Sequence, residues 1–234
     1  VGRIRRRLNG GIWPVYRKRR SVLNVPFGIF DLFIVFDIFV KCVLYVKCMI
    51  LPPFDEFGLL PPGDYPLTLA ELRQSSLVVP SEGSSKDWDA IWRARLVDNL
   101  GVMTNQLWMV GVTNIFIDGS FVEEKDHPND IDGYFECELA YLASGALQQD
   151  LNKLDPNKVW TWAPASRTPY ANSTKKQLPM WHFYRVELYP HFGQSSGIKD
   201  LFGNDLQFPA AFRKSRTEHR QKGIIKLLQE RASD

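Results

Sequence analysis

A pair of aspartates separated by one residue constrains this chain more than any other feature. Residues 117–138 read IDGSFVEEKDHPNDIDGYFECE, and Asp130 and Asp132 open a segment that alternates with the period of a β-strand. Residues two apart on a strand project from the same side, so the two carboxylates share one face. Carboxylates that close repel each other unless a cation lies between them. The pair therefore predicts a strand that presents a cation-binding face.

A Gly-Ser pair precedes the aspartates and adds a second chemical function. The segment NIFID, residues 114–118, predicts a strand that ends directly at Gly119 and Ser120. Glycine lets the backbone approach a ligand closely, and a serine hydroxyl with backbone N–H groups suits phosphate oxygens. Mg²⁺ commonly takes one or two carboxylates together with substrate phosphates. A phosphate cradle beside metal-binding carboxylates is the minimum for transferring a nucleotidyl group.

The remaining pattern predicts an α/β (α+β) fold with a small mixed β-sheet and flanking helices. Thr68 and Glu71 form a capping-box pattern that starts a short helix, and Ser84 or Ser85 caps a longer one with an apolar stripe. Other predicted elements are a helix over 139–154, an aromatic-rich strand over 180–190, and a final strand or helix over 224–228. We expect three regions: an N-terminal extension (1–48), an extended arm (49–66) and the main domain (67–230).

The first 48 residues have a different composition from the rest. They carry ten basic and two acidic residues, and an apolar stretch at 27–46 follows the basic part. A basic flank before about twenty apolar residues is typical of a membrane anchor, but Asp31, Asp37 and Lys41 interrupt the stretch. The favoured interpretation is an upstream extension from a misplaced start. The alternatives are a real membrane or surface anchor and a packed N-terminal element.

Charge and cysteine content limit the expected partners and compartment. Residues 49–234 carry nineteen basic and twenty-four acidic residues, so the main domain is mildly acidic and nucleic acid is a less attractive partner. The three cysteines form neither a CxxC pair nor a zinc-type cluster, which favours a reducing compartment. We expect a cytoplasmic protein, or a membrane-associated one if residues 27–46 are an anchor.

The order strand, Gly119-Ser120, nine residues, Asp130-Ile131-Asp132 resembles the signature of the polymerase-beta-like nucleotidyltransferase superfamily. The chain also resembles a bacterial family of unknown function with this core. That resemblance rests on PPFDEFGLLPPGDY, on IDGSFVEEKDHPNDID and on FRKSRTEHRQKGII. A third acidic residue on a later strand completes the superfamily pattern, and Glu187 in YRVELYP is the candidate here.

The resemblance implies roles for these residues. Asp130, Asp132 and Glu187 would bind one or two Mg²⁺ ions, and Gly119 and Ser120 would hold the phosphates of a nucleoside triphosphate. NMP would pass to an unidentified acceptor, which is a protein such as a toxin, an RNA or a small molecule. Phe121 follows the Gly-Ser pair where many members have small or basic residues, so phosphate-binding cations must come from elsewhere. The candidates are Lys125, Arg185 and Lys222.

Several alternatives remain open from the sequence. Glu136 or Glu138 can replace Glu187 because both continue the alternation from Asp132. Further candidates for substrate contact are His127, His182, His191 and the basic cluster Arg213, Arg216, Arg220 and Lys222. The alternative function is a non-catalytic nucleotide- or protein-binding module of the same fold, such as an antitoxin-type partner.

Overall fold

The computed structural model describes residues 51–81, 83–171, 173–215 and 218–230. The predictions for residues 1–48, including the anchor at 27–46, and for Arg216 lie outside these ranges. Across the described ranges, no helix is both long enough and apolar enough to span a bilayer.

The strands build one central sheet and two small hairpins. They are β1 (Asp64–Thr68), β2 (Ile115–Asp118), β3 (Ile131–Glu136), β4 (Thr168–Pro169), β5 (Lys176–Gln177), β6 (Val186–His191), β7 (Ser195–Lys199), β8 (Asp205–Gln207) and β9 (Ile224–Leu228). Five of them form the central sheet in the order β1-β9-β2-β3-β6. The β1–β9 and β3–β6 pairs are parallel and the inner pairs are antiparallel, so the sheet is mixed. The predicted α+β fold with a small mixed sheet is confirmed.

Short helices and one long helix flank this sheet. They are α1 (Leu69–Gln74), α2 (Ala90–Met109), α3 (Leu139–Ala143), α4 (Ala146–Leu154), α5 (Pro179–Tyr184) and α6 (Phe208–Ala211). The predicted capping box is present, since Thr68 Oγ1 accepts from the Glu71 amide and Glu71 accepts from the Thr68 amide. The long helix begins later than predicted because Asp89, and not Ser84 or Ser85, caps it by accepting from the Trp92 amide at 2.9 Å.

Alternation along the strands gives the sheet one apolar and one mixed face. Ile115, Ile117 and Phe135 belong to the main core, which they share with the buried stripe of α2. The opposite face carries a smaller aromatic cluster around Phe116 and Tyr134. Asp118 and Asp132 lie two residues beyond Phe116 and two before Tyr134 on the same strands, so they share this second face.

Two predicted elements differ from the structure. The helix predicted over 139–154 is divided into α3 and α4, because Gly145 adopts a left-handed conformation with φ of 75°. The prediction of a strand over 180–190 is wrong for its first half, since residues 179–184 form α5. Pro179 suits the first turn of a helix, and Arg185, with φ of 55°, ends it before β6 begins. Residues 224–228 form a strand, β9, near the centre of the sheet.

Candidate functional site

Three acidic residues form a row across β2, β3 and β6. Asp118 is the register partner of Asp132 on the antiparallel neighbour, and Asp132 is the register partner of Glu187 on the parallel neighbour. Neighbouring strands lie about 4.8 Å apart, and register partners project from the same side. Like charges in such a row destabilise a sheet unless each is compensated. The rest of the site shows how this is done.

The Gly-Ser pair forms a tight turn against this row. Residues Gly119–Val122 make one turn of 3-10 helix directly after β2. Gly119 has φ of +76°, and a Cβ there would lie 2.7 Å from Asp132 Oδ2 and 3.0 Å from Asp132 Cβ. Only glycine combines this backbone conformation with such a close approach. The turn and the carboxylate of Asp132 are therefore held side by side.

A cavity of about 440 Å³ opens at this turn, which is the size of a small-molecule site. Gly119, Ser120, Asp130 and Asp132 all line it. Further acidic lining residues are Asp118, Glu123 and Glu218, and the basic ones are Lys125, Lys175, Lys214, Arg220 and Lys222. The cavity thus places both aspartates and the Gly-Ser turn beside several cations.

Lys222 is buried at the inner edge of the cavity, with 2% of its surface exposed. Its Nζ lies 3.0 Å from Asp118 Oδ1, donates to the Gly119 carbonyl at 3.3 Å and donates to Glu123 Oε1. Burial raises the pKa of Asp118 to about 6, and this effect outweighs the opposing attraction of Lys222. Lys222 therefore compensates one end of the acid row and ties the start of β9 to the Gly-Ser turn.

Asp130 lies just before β3 and is held from the side of α5. Its Oδ2 accepts a hydrogen bond from Trp181 Nε1 at 2.6 Å. The guanidinium of Arg185 stacks over this indole, 3.9 Å from the centre of its ring. It also lies 4.6 Å from the ring centre of Tyr170. Arg185 does not line the cavity, so the phosphate contact predicted for it has no support in this geometry, whereas Lys125 does line it.

Glu187 is next to Asp132 in register, but its carboxylate is already engaged. It is 5% exposed; Oε1 accepts from the Leu178 amide at 2.9 Å and lies 3.5 Å from Arg167 Nη1, and Oε2 accepts from the Tyr189 hydroxyl. These donors compensate the other end of the acid row. Glu187 does not line the cavity, and Asp118 occupies the corresponding position on the opposite side of Asp132.

The predicted substitutes for Glu187 lie away from the cavity. Glu136 accepts from the Asn114 amide group at 3.0 Å near the surface, and Glu138 precedes α3 as its exposed N-cap residue. Over the part of the chain that the structure describes, no group of three or more His, Cys, Asp or Glu residues is arranged to hold a metal ion. The carboxylate donors facing the cavity on the predicted strand are thus Asp130 and Asp132.

The histidines and the basic cluster have other contacts. His127 Nδ1 lies 2.9 Å from Asp89 Oδ2 and its ring stacks on Trp92, while His182 Nε2 lies 2.9 Å from Thr168 Oγ1. His191 is buried edge-on to Tyr134. In the basic cluster, Arg213 forms a two-pronged ion pair with Asp64, whereas Arg220 and Lys222 line the cavity.

Arg93 is a positioning residue that sequence reasoning missed. It is fully buried on α2, and its guanidinium donates to the carbonyls of Leu77, Phe121, Glu123 and Lys125. Three of these carbonyls belong to the segment that follows the Gly-Ser turn, so Arg93 fixes the path of that segment. Arg93 lies three residues before Leu96, within the apolar stripe of α2. That position is the signal in the sequence that this charged side chain is buried.

Asp118 was missed as well, although its alternation with Phe116 in IFIDGS places it on the same face as Asp132. Together, these elements make an α+β domain whose mixed sheet carries a row of acids beside a cavity lined by aspartates and lysines. The chain belongs to a family of unknown function, DUF6932, which it matches over residues 52–228. No curated protein and no solved structure matches the chain.

Proposed function

We propose that this protein is a Mg²⁺-dependent nucleotidyltransferase of the polymerase-beta-like type, which moves NMP from a nucleoside triphosphate to an acceptor. The observation that carries the proposal is that Gly119, Ser120, Asp130 and Asp132 line one cavity together with five basic side chains. Each half of this arrangement has a simple chemical match: carboxylate oxygens for a hard cation, and lysines with a Gly-Ser turn for phosphates.

In this proposal, different residues bind the phosphates and the metal ion. The Ser120 hydroxyl and the backbone N–H groups of the turn bind the terminal phosphates, and Lys125, Lys175 and Lys214 neutralise their charge. Asp130 and Asp132 would hold Mg²⁺ through their carboxylate oxygens. When bound, the metal would stabilise the charge that develops as the acceptor hydroxyl attacks the α-phosphorus and pyrophosphate leaves.

Glu187 has a different role in this proposal from the one the superfamily resemblance implies. Three donors already bind its carboxylate, and Glu187 does not line the cavity. We therefore assign Glu187 to positioning: it anchors the start of α5 through the Leu178 amide, and α5 in turn supplies Trp181 to Asp130.

The engagement of Glu187 also favours a second candidate, a non-catalytic nucleotide-binding module such as an antitoxin-type partner. In that case the cavity binds a nucleoside triphosphate, but Glu187 does not serve as the third carboxylate of a transferase. In either case the acidic excess of residues 49–234 makes a protein or small-molecule partner more attractive than a nucleic acid. The absence of cysteine motifs from the sequence leads us to place the protein in the cytoplasm.

The test is to incubate the full chain with Mg²⁺, candidate acceptors and each of the four nucleoside triphosphates labelled on the α-phosphate. A transferase releases pyrophosphate and adds the mass of one NMP to an acceptor, and label on the γ-phosphate is not transferred. Metal-dependent nucleotide binding without release of pyrophosphate would favour the non-catalytic module. The absence of nucleotide binding would contradict both candidates.

A further inference from the structure

A half-exposed aromatic side chain lines the same cavity. Phe57 lines the cavity with 47% of its surface exposed. Phe202 and Phe183 are more exposed than Phe57, but neither lines the cavity, whereas the Phe57 ring offers a stacking surface to a molecule bound there.

The loop that carries Phe57 is held in one conformation. The Asp55 carboxylate accepts from the amides of Phe57 and Leu59, each at 2.9 Å, and the Asp55 amide donates to the Leu59 carbonyl at 2.9 Å. The Gly58 carbonyl accepts from the Glu124 amide at 2.8 Å, which joins the loop to the segment after the Gly-Ser turn. Phe57 is therefore displayed at a fixed place relative to the turn.

One side of the Phe57 ring is covered by a cation. The Arg220 guanidinium lies 3.5 Å from the ring centre and is held by a hydrogen bond to Glu218. Phe212 and Ile198 add apolar surface to the same cavity. A ring stacked with a guanidinium gives a flat, partly cationic surface, which is the kind of surface on which nucleobases stack.

We propose that Phe57 and Arg220 form a stacking platform for the base of the nucleoside triphosphate. This inference rests on the proposed nucleotide site and extends it, because the acids and the Gly-Ser pair supply ligands for a metal ion and for phosphates but no flat surface for a base. The platform, at the cavity edge, binds the base while the Gly-Ser turn and the lysines bind the polyphosphate.

The experiment measures the affinity of the full-length protein, by calorimetry with Mg²⁺, for two probes. One is whichever of ATP, CTP, GTP and UTP binds most tightly, and the other is inorganic tripolyphosphate, which has no base. Phe57→Ala should weaken the nucleoside triphosphate by about tenfold or more, the usual loss when an aromatic stacking partner is removed, and leave tripolyphosphate unchanged. Phe57→Trp should retain the wild-type affinities. Phe202→Ala is the matched control, since Phe202 is 89% exposed and does not line the cavity.

The outcomes separate this inference from the proposed function. If Phe57→Ala weakens both probes equally or neither, or if the wild-type protein binds them with the same affinity, the platform is refuted while the phosphate site stands. If the wild-type protein binds neither probe, the proposed nucleotide site fails and the platform fails with it.

Discussion

Lys222 Nζ lies 3.0 Å from Asp118 Oδ1, and the two side chains are only 2% and 9% exposed. This buried ion pair joins residues 104 positions apart, one just before β9 and one at the end of β2. Desolvation makes such a pair a weak source of net stability, but removing one partner leaves a buried charge uncompensated. Lys222 also binds the Gly119 carbonyl and Glu123, so the same contact shapes the proposed phosphate-binding turn.

The first prediction concerns the loss of this cation. Lys222→Met keeps the length of the side chain but leaves Asp118 and Glu123 without their partner, so it should lower the free energy of unfolding by about 3–5 kcal/mol. Urea denaturation at pH 7 measures the change. Lys86→Met is the matched control because Lys86 is exposed, and it should alter stability by less than about 0.5 kcal/mol.

Adding Asp118→Asn to Lys222→Met should recover part of the lost stability, because the buried carboxylate no longer needs a cation. Equal stability of Lys222→Met and the wild type would mean that the three contacts of Lys222 do not hold in solution.

The second prediction is a pH dependence. The pKa of Asp118 is raised from 3.8 to about 6, so between these values the folded state binds more protons at this site than the unfolded state. Its contribution therefore lowers the free energy of unfolding as the pH rises from about 4 to about 6, by up to about 3 kcal/mol, and is constant above and below that window.

The variant Asp118→Asn removes this contribution alone, so the difference between variant and wild type is the quantity to measure. In buffer without metal ions, the stability of Asp118→Asn relative to the wild type should increase as the pH rises through the window. A difference that stays constant or decreases across the window would contradict the prediction, because it would mean that the pKa of Asp118 is not raised in the folded state.

The third prediction concerns Gly119. In Gly119→Ala the new Cβ would lie 2.7 Å from Asp132 Oδ2 and 3.0 Å from its Cβ, so the carboxylate of Asp132 has to move. We expect Gly119→Ala to lose metal-dependent nucleotide affinity. We also expect it to lose more stability than the backbone strain at φ of +76° would cause by itself.

Gly111→Ala is the control: φ is +84° there, and a Cβ would meet nothing within 4 Å. It should cost about 1–2 kcal/mol and leave nucleotide affinity unchanged. Equal effects of the two substitutions on affinity would remove the role assigned to the close approach.

Much of the site could be predicted from the sequence because its parts are local. The Gly-Ser turn and both aspartates fall within fourteen residues, 119–132, and the period of two is enough to place Asp132 on the face that the turn approaches. The same alternation predicted β2 and β3 to within one or two residues. The capping box of α1 is likewise a local signal.

The parts that could not be predicted depend on contacts between distant segments. The pairing of Lys222 with Asp118 requires β9 to lie beside β2, and local patterns do not specify which strands are neighbours. The sequence offers Glu187 as a third acid on a later strand, but its register with Asp132 and its ion pair with Arg167, which comes from a loop, depend on the tertiary fold. The aromatic residues of 180–184 were read as a strand, although Pro179 and burial of Met180 and Trp181 favour a helical turn there.

The most direct test of the central claim is binding of the tightest nucleoside triphosphate to wild-type protein, Asp130→Asn and Asp132→Asn, with and without Mg²⁺. Both variants should keep the wild-type fold, since Asp130 and Asp132 face a cavity rather than the core. We predict binding that requires Mg²⁺ in the wild type and that is lost in both variants. Binding of the same strength in folded Asp130→Asn and Asp132→Asn, or binding indifferent to Mg²⁺, would contradict it.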